Sequence, residues 1–351
     1  MALIHVGGDQ RSRAALTRMA IVCLSVASLF VGVGAAMAAE TSEADAIRIR
    51  PLADAPGGVI DLALAPNGQR LYALSADGKQ VVATSSGREA DGSWRVALEG
   101  ASPDGPGLCL GCIDTSVVAI LRWGTEGVIT THRIPSPPEN AAAAEPLQRI
   151  SLESGETAAA TRGRHSFVVS PTRNWLATAT EMEGKSVVVR AAVAGVRVSS
   201  FSSRHSPDLP LGTTIRCLSA GLADELVLLT QPSDTTEQTL SMFATPSGWE
   251  LLQLNTGLRE IRDVCSTSPS GTLWALTGSA SEGAAPQPAG LWRLDAVIRQ
   301  RRQAVQPVLV AAFDDPRALV SGGDDVLYAA VDSGTRVIEI RPSPSATTTR
   351  E

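Results

Sequence analysis

The chain has 351 residues, of which 44% are hydrophobic and 4% aromatic, and 36 acidic residues outnumber 30 lysines and arginines. The resulting net charge of −6 argues against binding to the phosphate backbone of nucleic acids and against a basic membrane-binding patch.

The N-terminal segment has the pattern of an export signal. Three arginines within the first 18 residues precede an uncharged stretch from 19 to 39, and Ala36-Met37-Ala38 supplies a small-x-small cleavage site. We predict that residues 1–38 are a signal peptide and that the protein is periplasmic or secreted. The alternative is an uncleaved anchor, because the uncharged stretch is long enough to span a bilayer. After cleavage no stable membrane span is expected.

A repeated sequence motif follows the predicted signal peptide. Residues 62–72, 167–177 and 264–274 each consist of a largely apolar run, a small residue, a proline, turn-forming residues and a second apolar run. This order is typical of a strand, a tight turn and a returning strand. The prolines stand 105 and 98 residues apart, twice about 50, so the spacing predicts a repeat unit of about 50 residues.

Weaker copies complete a series of six units. The second copy covers 108–114, the fourth 215–221 and the sixth 321–329. In the first unit two further short strands are predicted over 80–84 and 94–98, each after an Asp-Gly pair, which favours a hairpin. Four strands per unit are typical of a β-propeller blade.

The sixth unit lacks its last strand, and the chain then enters a Ser/Thr-rich tail at 343–351 that we predict to be disordered. Residues 46–51 alternate between apolar and polar side chains and have no hairpin partner. We therefore predict that this N-terminal strand pairs with the sixth unit and closes a ring, which removes two exposed sheet edges. The propeller domain is predicted over 39–342.

The repeated turn resembles those of WD40-like and YVTN-type bacterial β-propeller repeats, which carry a Ser-Pro-Asp-Gly-like turn before the second strand. The resemblance covers about residues 46–341 and implies an all-β propeller of six four-stranded blades, with seven as the alternative. The histidine and the terminal Trp-Asp pair of eukaryotic WD40 blades are missing, so no signalling-scaffold role follows.

Four cysteines remain after signal removal. Cys109 and Cys112 have C-x-x-C spacing, which fits a structural disulfide, a redox pair, half a zinc site or two free thiols, and we predict the structural disulfide. Cys217 and Cys265 each stand four residues before the turn of their unit, so they are candidates for a cross-blade disulfide or for two buried apolar residues.

Charged residues near the starts of inner strands are candidates to line a central channel. They are Asp61, Arg216, Asp263 and Arg317, and His165 lies just before the third inner strand. Such groups fit either paired charges that satisfy one another, which we favour, or a site for a polar ligand or a cation such as Ca²⁺. His165 is expected to be a loop residue.

Catalytic motifs are absent from the sequence. There is no G-x-S-x-G elbow, no P-loop, no dinucleotide fingerprint and no histidine pair with metal-ligand spacing. We therefore predict no catalytic residue, metal or cofactor, and a non-catalytic extracytoplasmic protein that binds a protein partner or a small polar ligand on one propeller face. The alternative is a propeller hydrolase or the propeller subunit of a periplasmic oxidoreductase.

Overall fold

A computed structural model of the protein describes residues 47–341, apart from 87–92, 101, 136–144, 153–165, 205, 246–249, 282–285, 295–301 and 306. Residues Ile47–Pro342 form one compact unit. The predicted signal peptide, the predicted tail and His165 lie outside the described residues. Within the described part of the chain, no helix has the length and apolar character that a membrane crossing requires.

The described residues form 25 strands, a short 3₁₀ turn at Asp332–Gly334 and six sheets. Each sheet is one blade, and in five of the six sheets the strands run in chain order from the inside of the ring outwards, while in the sixth the first strand of the chain lies outermost. The strands of the first three blades are β2 (Val59–Leu64), β3 (Arg70–Ser75), β4 (Gln80–Ser85), β5 (Arg95–Glu99); β6 (Gly107–Asp114), β7 (Val117–Trp123), β8 (Gly127–Arg133), β9 (Gln148–Ser151); β10 (Phe167–Val169), β11 (Trp175–Met182), β12 (Lys185–Ala194), β13 (Arg197–Val198).

The remaining blades follow the same plan. Their strands are β14 (Thr213–Ala220), β15 (Leu226–Pro232), β16 (Thr239–Phe243), β17 (Glu250–Asn255) in blade 4; β18 (Ile261–Ser266), β19 (Leu273–Thr277), β20 (Gly290–Leu294), β22 (Pro307–Ala312) in blade 5; and β23 (Ala318–Ser321), β24 (Leu327–Val331), β25 (Arg336–Arg341) in blade 6. One strand departs from the prediction, because β21 (Arg302–Ala304) adds a fifth, parallel strand to blade 4.

The ring closes as the sequence predicts. Strand β1 (Arg48–Pro51) pairs antiparallel with β25 and supplies the fourth strand of blade 6, with Arg50 opposite Glu339. Six four-stranded blades in a ring, closed by the N-terminal strand, confirm the predicted fold class.

The core lies between the blades. Each of the six junctions between neighbouring blades holds its own cluster of buried apolar side chains, because the side chains of a strand alternate between the two faces of its sheet. Gly111 on the inner strand β6 shows how closely the blades approach, since a Cβ atom there would lie 2.6 Å from Val169 Cγ2 of blade 3. The inner strands β2, β6, β10, β14, β18 and β23 therefore surround a narrow central channel.

Candidate functional site

A cavity of about 490 Å³ lies in the central channel, and all six inner strands contribute to its wall. It extends along the inner strands to the turns that follow them, including the turns at Pro66 and Pro171. A volume of this size is in the range of small-molecule sites. The titratable side chains on the wall are few, and they are Asp61, Cys112, Arg173, Asp263 and Cys265.

The backbone explains how Asp61 reaches the channel. A β-bulge interrupts the pairing of β2 with β3 between Val59 and Asp61, and the same irregularity recurs before Asp263 in β18. A bulge changes the direction of the side chain that follows it. Both carboxylates are consequently buried, with 7% of Asp61 and 4% of Asp263 exposed.

Each carboxylate joins two blades. Asp61 accepts hydrogen bonds from the backbone N–H of Leu62 at 2.8 Å and from that of Leu110, on the inner strand of blade 2, at 2.7 Å. The carboxylate of Asp61 therefore links the inner strand of blade 1 to that of blade 2.

Asp263 repeats this arrangement in blade 5. It accepts from the N–H of Val264 at 2.8 Å and from that of Leu319, in blade 6, at 2.7 Å. The thiol of Cys217 adds a contact to the same carboxylate at 3.4 Å. The two carboxylates are therefore held in the same way, on blades 1 and 5.

Each of the six inner strands has one residue, in the strand or directly before it, that is equivalent to Asp61 and Asp263, and we call its place the junction position. In five blades the junction residue stands four residues before the residue whose N–H closes the turn, and the bulge before Cys109 marks it in blade 2. The junction residues are Asp61, Cys109, Ser166, Cys217, Asp263 and Ala318.

The other charged candidates lie elsewhere. Arg216 and Arg317 each precede a junction residue by one position, so their side chains point away from it. Arg216 donates to Gln231 at 2.9 Å, and Arg317 pairs with Asp315. Asp61 and Asp263 accept from backbone N–H groups, and mutual pairing of the channel charges stays a prediction.

All four cysteines are buried thiols in this structure, so the predicted Cys109–Cys112 disulfide is not formed in it, and Cys217 and Cys265 are the two buried residues of the alternative to a cross-blade disulfide. Cys109 packs between blades 2 and 3, whereas Cys112 packs between blades 1 and 2, on the opposite face of β6. Cys217 packs between blades 4 and 5, and Cys265 packs between blades 5 and 6. Their predicted equivalence fails because the turn of blade 4 closes at Gly221, four residues after Cys217, whereas the turn of blade 5 closes at Thr267, two residues after Cys265.

The thiols of the cavity are poor nucleophiles. Burial raises the pKa of Cys112 to about 12, although Arg173 nearby lowers it. Burial also raises the pKa of Cys265, and the charge of Asp263 adds to that effect. Since the thiolate is the reactive form, the carboxylates are the groups on this wall suited to acid–base chemistry at neutral pH.

One functional candidate was missed by the sequence analysis. Arg173, in the turn between β10 and β11, lines the cavity and donates from Nη1 to the backbone oxygen of Cys112 at 2.8 Å. The signal for it was present, because an arginine stands where the first repeat has Gly68.

Comparison with solved structures places this fold among known propellers. A protein assigned as a gluconolactonase has a TM-score of 0.52 at 13% identity, over 84% of this chain and 92% of its own. A gluconolactonase of Xanthomonas campestris gives 0.52 at 14%, over 84% and 89%. Hydrazine synthase of Kuenenia stuttgartiensis gives 0.51 at 12%, over 80% and 76%. No protein-family model and no curated protein matches the sequence.

These likenesses confirm the propeller fold that the repeat resemblance implied, and at such low identity they show the fold alone. They also correct the functional prediction. One of the similar structures is a gluconolactonase and another is assigned as one, and gluconolactonases are enzymes, so the predicted non-catalytic binding or assembly protein is withdrawn.

Proposed function

We propose that the protein is a hydrolase that cleaves a small ester or lactone inside the channel. The observation that carries the proposal is the pair of buried carboxylates, Asp61 and Asp263, on the wall of the 490 Å³ cavity. The likeness to gluconolactonases supports the choice of a lactone or ester as substrate class.

The chemistry needs one water molecule and one base. The carboxylate of Asp61 or Asp263 takes a proton from water as the water oxygen attacks the acyl carbon. The acyl C–O bond then breaks, and the protonated carboxyl returns its proton to the leaving alkoxide. The products are one acid and one alcohol, which stay joined when the substrate is a lactone.

The surroundings favour this role for a carboxylate. Two backbone N–H donors hold each group in one orientation, and positioning of a base is a large part of its catalytic effect. Cys217 remains a thiol beside Asp263, because burial and the charge of Asp263 both raise its pKa. It therefore donates to the carboxylate and does not compete with it as a base.

The test uses a panel of small lactones and esters and measures the acid that the protein releases from each of them with a pH-stat. We expect turnover by the unmodified protein and a loss in kcat of about 100-fold or more in Asp61→Asn or Asp263→Asn, which is the usual contribution of a general base. Asp234→Asn, an exposed residue outside the cavity, is the matched control and should leave the rate unchanged. Absence of turnover across the panel, or full activity in both channel variants, would reject the proposal.

We also propose that the protein works outside the cytoplasm, on the strength of the arginine-rich start, the uncharged run and Ala36-Met37-Ala38. Sequencing of the mature protein should find Ala39 or Glu40 at its N-terminus. A mature, membrane-bound protein that begins at Met19 or earlier would overturn this.

A further inference from the structure

Arg173 occupies a backbone conformation that favours glycine. Its φ is +59°, and its N–H donates to the oxygen of Ser170 at 3.0 Å to close the turn. In blade 1 the same place in the turn belongs to Gly68, with φ +68° and an N–H bonded to the oxygen of Ala65 at 2.8 Å. A side chain at positive φ costs about 1 kcal/mol or more, and such residues concentrate at functional sites.

The guanidinium of Arg173 has few protein partners. In the described residues its one hydrogen bond runs from Nη1 to the backbone oxygen of Cys112, and no carboxylate in that part of the chain pairs with it. Its Nε is buried without a hydrogen-bond partner. Burial lowers the pKa of Arg173, yet an arginine remains a cation at neutral pH. The chain thus holds an unneutralised positive charge at the cavity wall.

The other charges near Cys112 do not neutralise it. Arg70 and Arg173 both act on this thiol from nearby, and Asp114 is the single acidic residue among its charged neighbours. One oxygen of Asp114 is taken by the backbone N–H of Thr115, at 2.5 Å. This side of the cavity therefore attracts an anion.

Polar and apolar groups share the rest of the wall. The apolar side chains come from several blades and include Leu64, Leu110, Val169, Leu222 and Val320. A cation beside apolar side chains matches a small organic anion, and the carboxylates of Asp61 and Asp263 also lie on this wall.

We propose that Arg173 binds a carboxylate of the substrate, so that the hydrolase acts on small esters or lactones that carry a free carboxylate. The inference rests on the proposed function, and it names the substrate class of the same channel. Arginine suits this task because its planar fork donates two parallel hydrogen bonds to one carboxylate.

The test compares octanoate with its neutral counterpart octanamide by isothermal titration calorimetry on the exported protein. We expect octanoate to bind at least about tenfold more tightly than octanamide, and Arg173→Gln to abolish that difference. Arg197→Gln, an exposed arginine on the outer strand of the same blade, is the control and should bind as the unmodified protein does. Equal affinity for the two probes, no binding of octanoate, or an unchanged octanoate affinity in Arg173→Gln would each overturn the inference.

A second variant separates binding from folding. Arg173→Gly should melt at or above the temperature of Arg173→Gln, because glycine adopts a φ of +59° without strain, and should show the same loss of octanoate binding. Retained octanoate binding in this variant would also count against the inference. Octanoate binding that depends on Arg173, in a protein that hydrolyses nothing, would reject the hydrolase and leave the anion site standing. Hydrolysis whose rate does not depend on Arg173 would support the hydrolase and reject the anion site.

Discussion

Two kinds of junction hold neighbouring blades together at the channel. At Asp61 and Asp263 a carboxylate reaches the next blade and accepts its backbone N–H at 2.7 Å. At the same position in blades 2 and 4 stand Cys109 and Cys217, whose sulfurs lie 3.9 Å from Ser166 Oγ and 3.4 Å from Asp263 Oδ1. The carboxylate junctions are made by short hydrogen bonds to the backbone, and the thiol junctions by packing and weak polar contacts.

The difference teaches what keeps an ionised group stable in this core. A buried carboxylate without donors is costly, but two amide donors compensate each of these. A thiol needs no such donors, since it behaves as a small apolar residue. The carboxylate junctions are therefore the ones that carry both a structural bond and a reactive group.

The largest effect should come from breaking a carboxylate junction. Asp61→Ala leaves the buried N–H groups of Leu62 and Leu110 without their acceptor, and Asp263→Ala does the same in blade 5. At about 1–3 kcal/mol for each of the two unsatisfied donors, we expect the free energy of unfolding to fall by about 2–6 kcal/mol. Denaturant unfolding followed by circular dichroism measures it.

The thiol junctions supply the matched control. Cys109→Ala removes one buried sulfur and should cost about 1 kcal/mol, because little more than packing is lost. An alanine series in which the cysteine and aspartate variants lose equal stability would show that the two kinds of junction do not differ.

The sequence predicts the order and pairing of the strands better than it predicts the contacts between neighbouring blades. Strand order, blade number and the pairing of β1 with β25 follow from apolar alternation and repeated turns, because these features are local. Asp61 and Asp263 were marked as channel candidates by their place in the repeat. Their partners could not be read from the repeat, since a bulge decides which way each side chain points.

The turns limited the prediction of the cysteines in the same way. Counting back from Gly221 and Pro269 made Cys217 and Cys265 equivalent, but Gly221 closes its turn, whereas Pro269 lies two residues after Thr267, which closes the turn of blade 5. Arg173 escaped attention because its role depends on a left-handed backbone and on a cavity built from six separate strands.

A third carboxylate sharpens the comparison, because it joins strands through side chains. Glu339 on β25 accepts from Arg50 on β1 at 2.7 Å and from Arg341 at 2.6 Å, where the N-terminal strand closes the ring. Burial by itself would raise the pKa of Glu339, but the two arginines outweigh burial and lower it below 4.5. Glu339→Gln should cost about 1–2 kcal/mol, less than loss of a carboxylate that holds two backbone donors.

The pH dependence follows from the direction of that shift. Because the folded-state pKa of Glu339 is depressed, its stabilisation is present above pH 4.5 and is lost as the pH falls through the folded pKa. The difference in the free energy of unfolding between the unmodified protein and Glu339→Gln should therefore be smaller at pH 3 than at pH 7. A constant gap between them at both pH values would contradict the role assigned to this ion pair.

The smallest effect is expected at Asp315, a carboxylate in the connection between β22 and β23. Burial would raise its pKa, but hydrogen bonds from Arg262 and Ser333, together with the charge of Arg317, lower it to about 2. Its side chain is 34% exposed, so solvent screens the pairs and Asp315→Asn should cost less than about 1 kcal/mol. The loss should shrink further in 1 M salt and as the pH falls from 4 towards 2. A loss as large as that of Asp61→Ala would remove the distinction between buried and exposed carboxylates.

The most direct test of the central claim, that hydrolysis takes place in the channel, is inhibition by octanoate of the hydrolysis of a carboxylate-bearing ester. Because Arg173 and the two carboxylates line one cavity, octanoate should compete with substrate, raising the apparent KM and leaving kcat unchanged. The same concentration of octanoate should have about tenfold less effect on Arg173→Gln. Inhibition that lowers kcat without changing KM, or no inhibition at saturating octanoate, would place the reaction elsewhere and contradict the account.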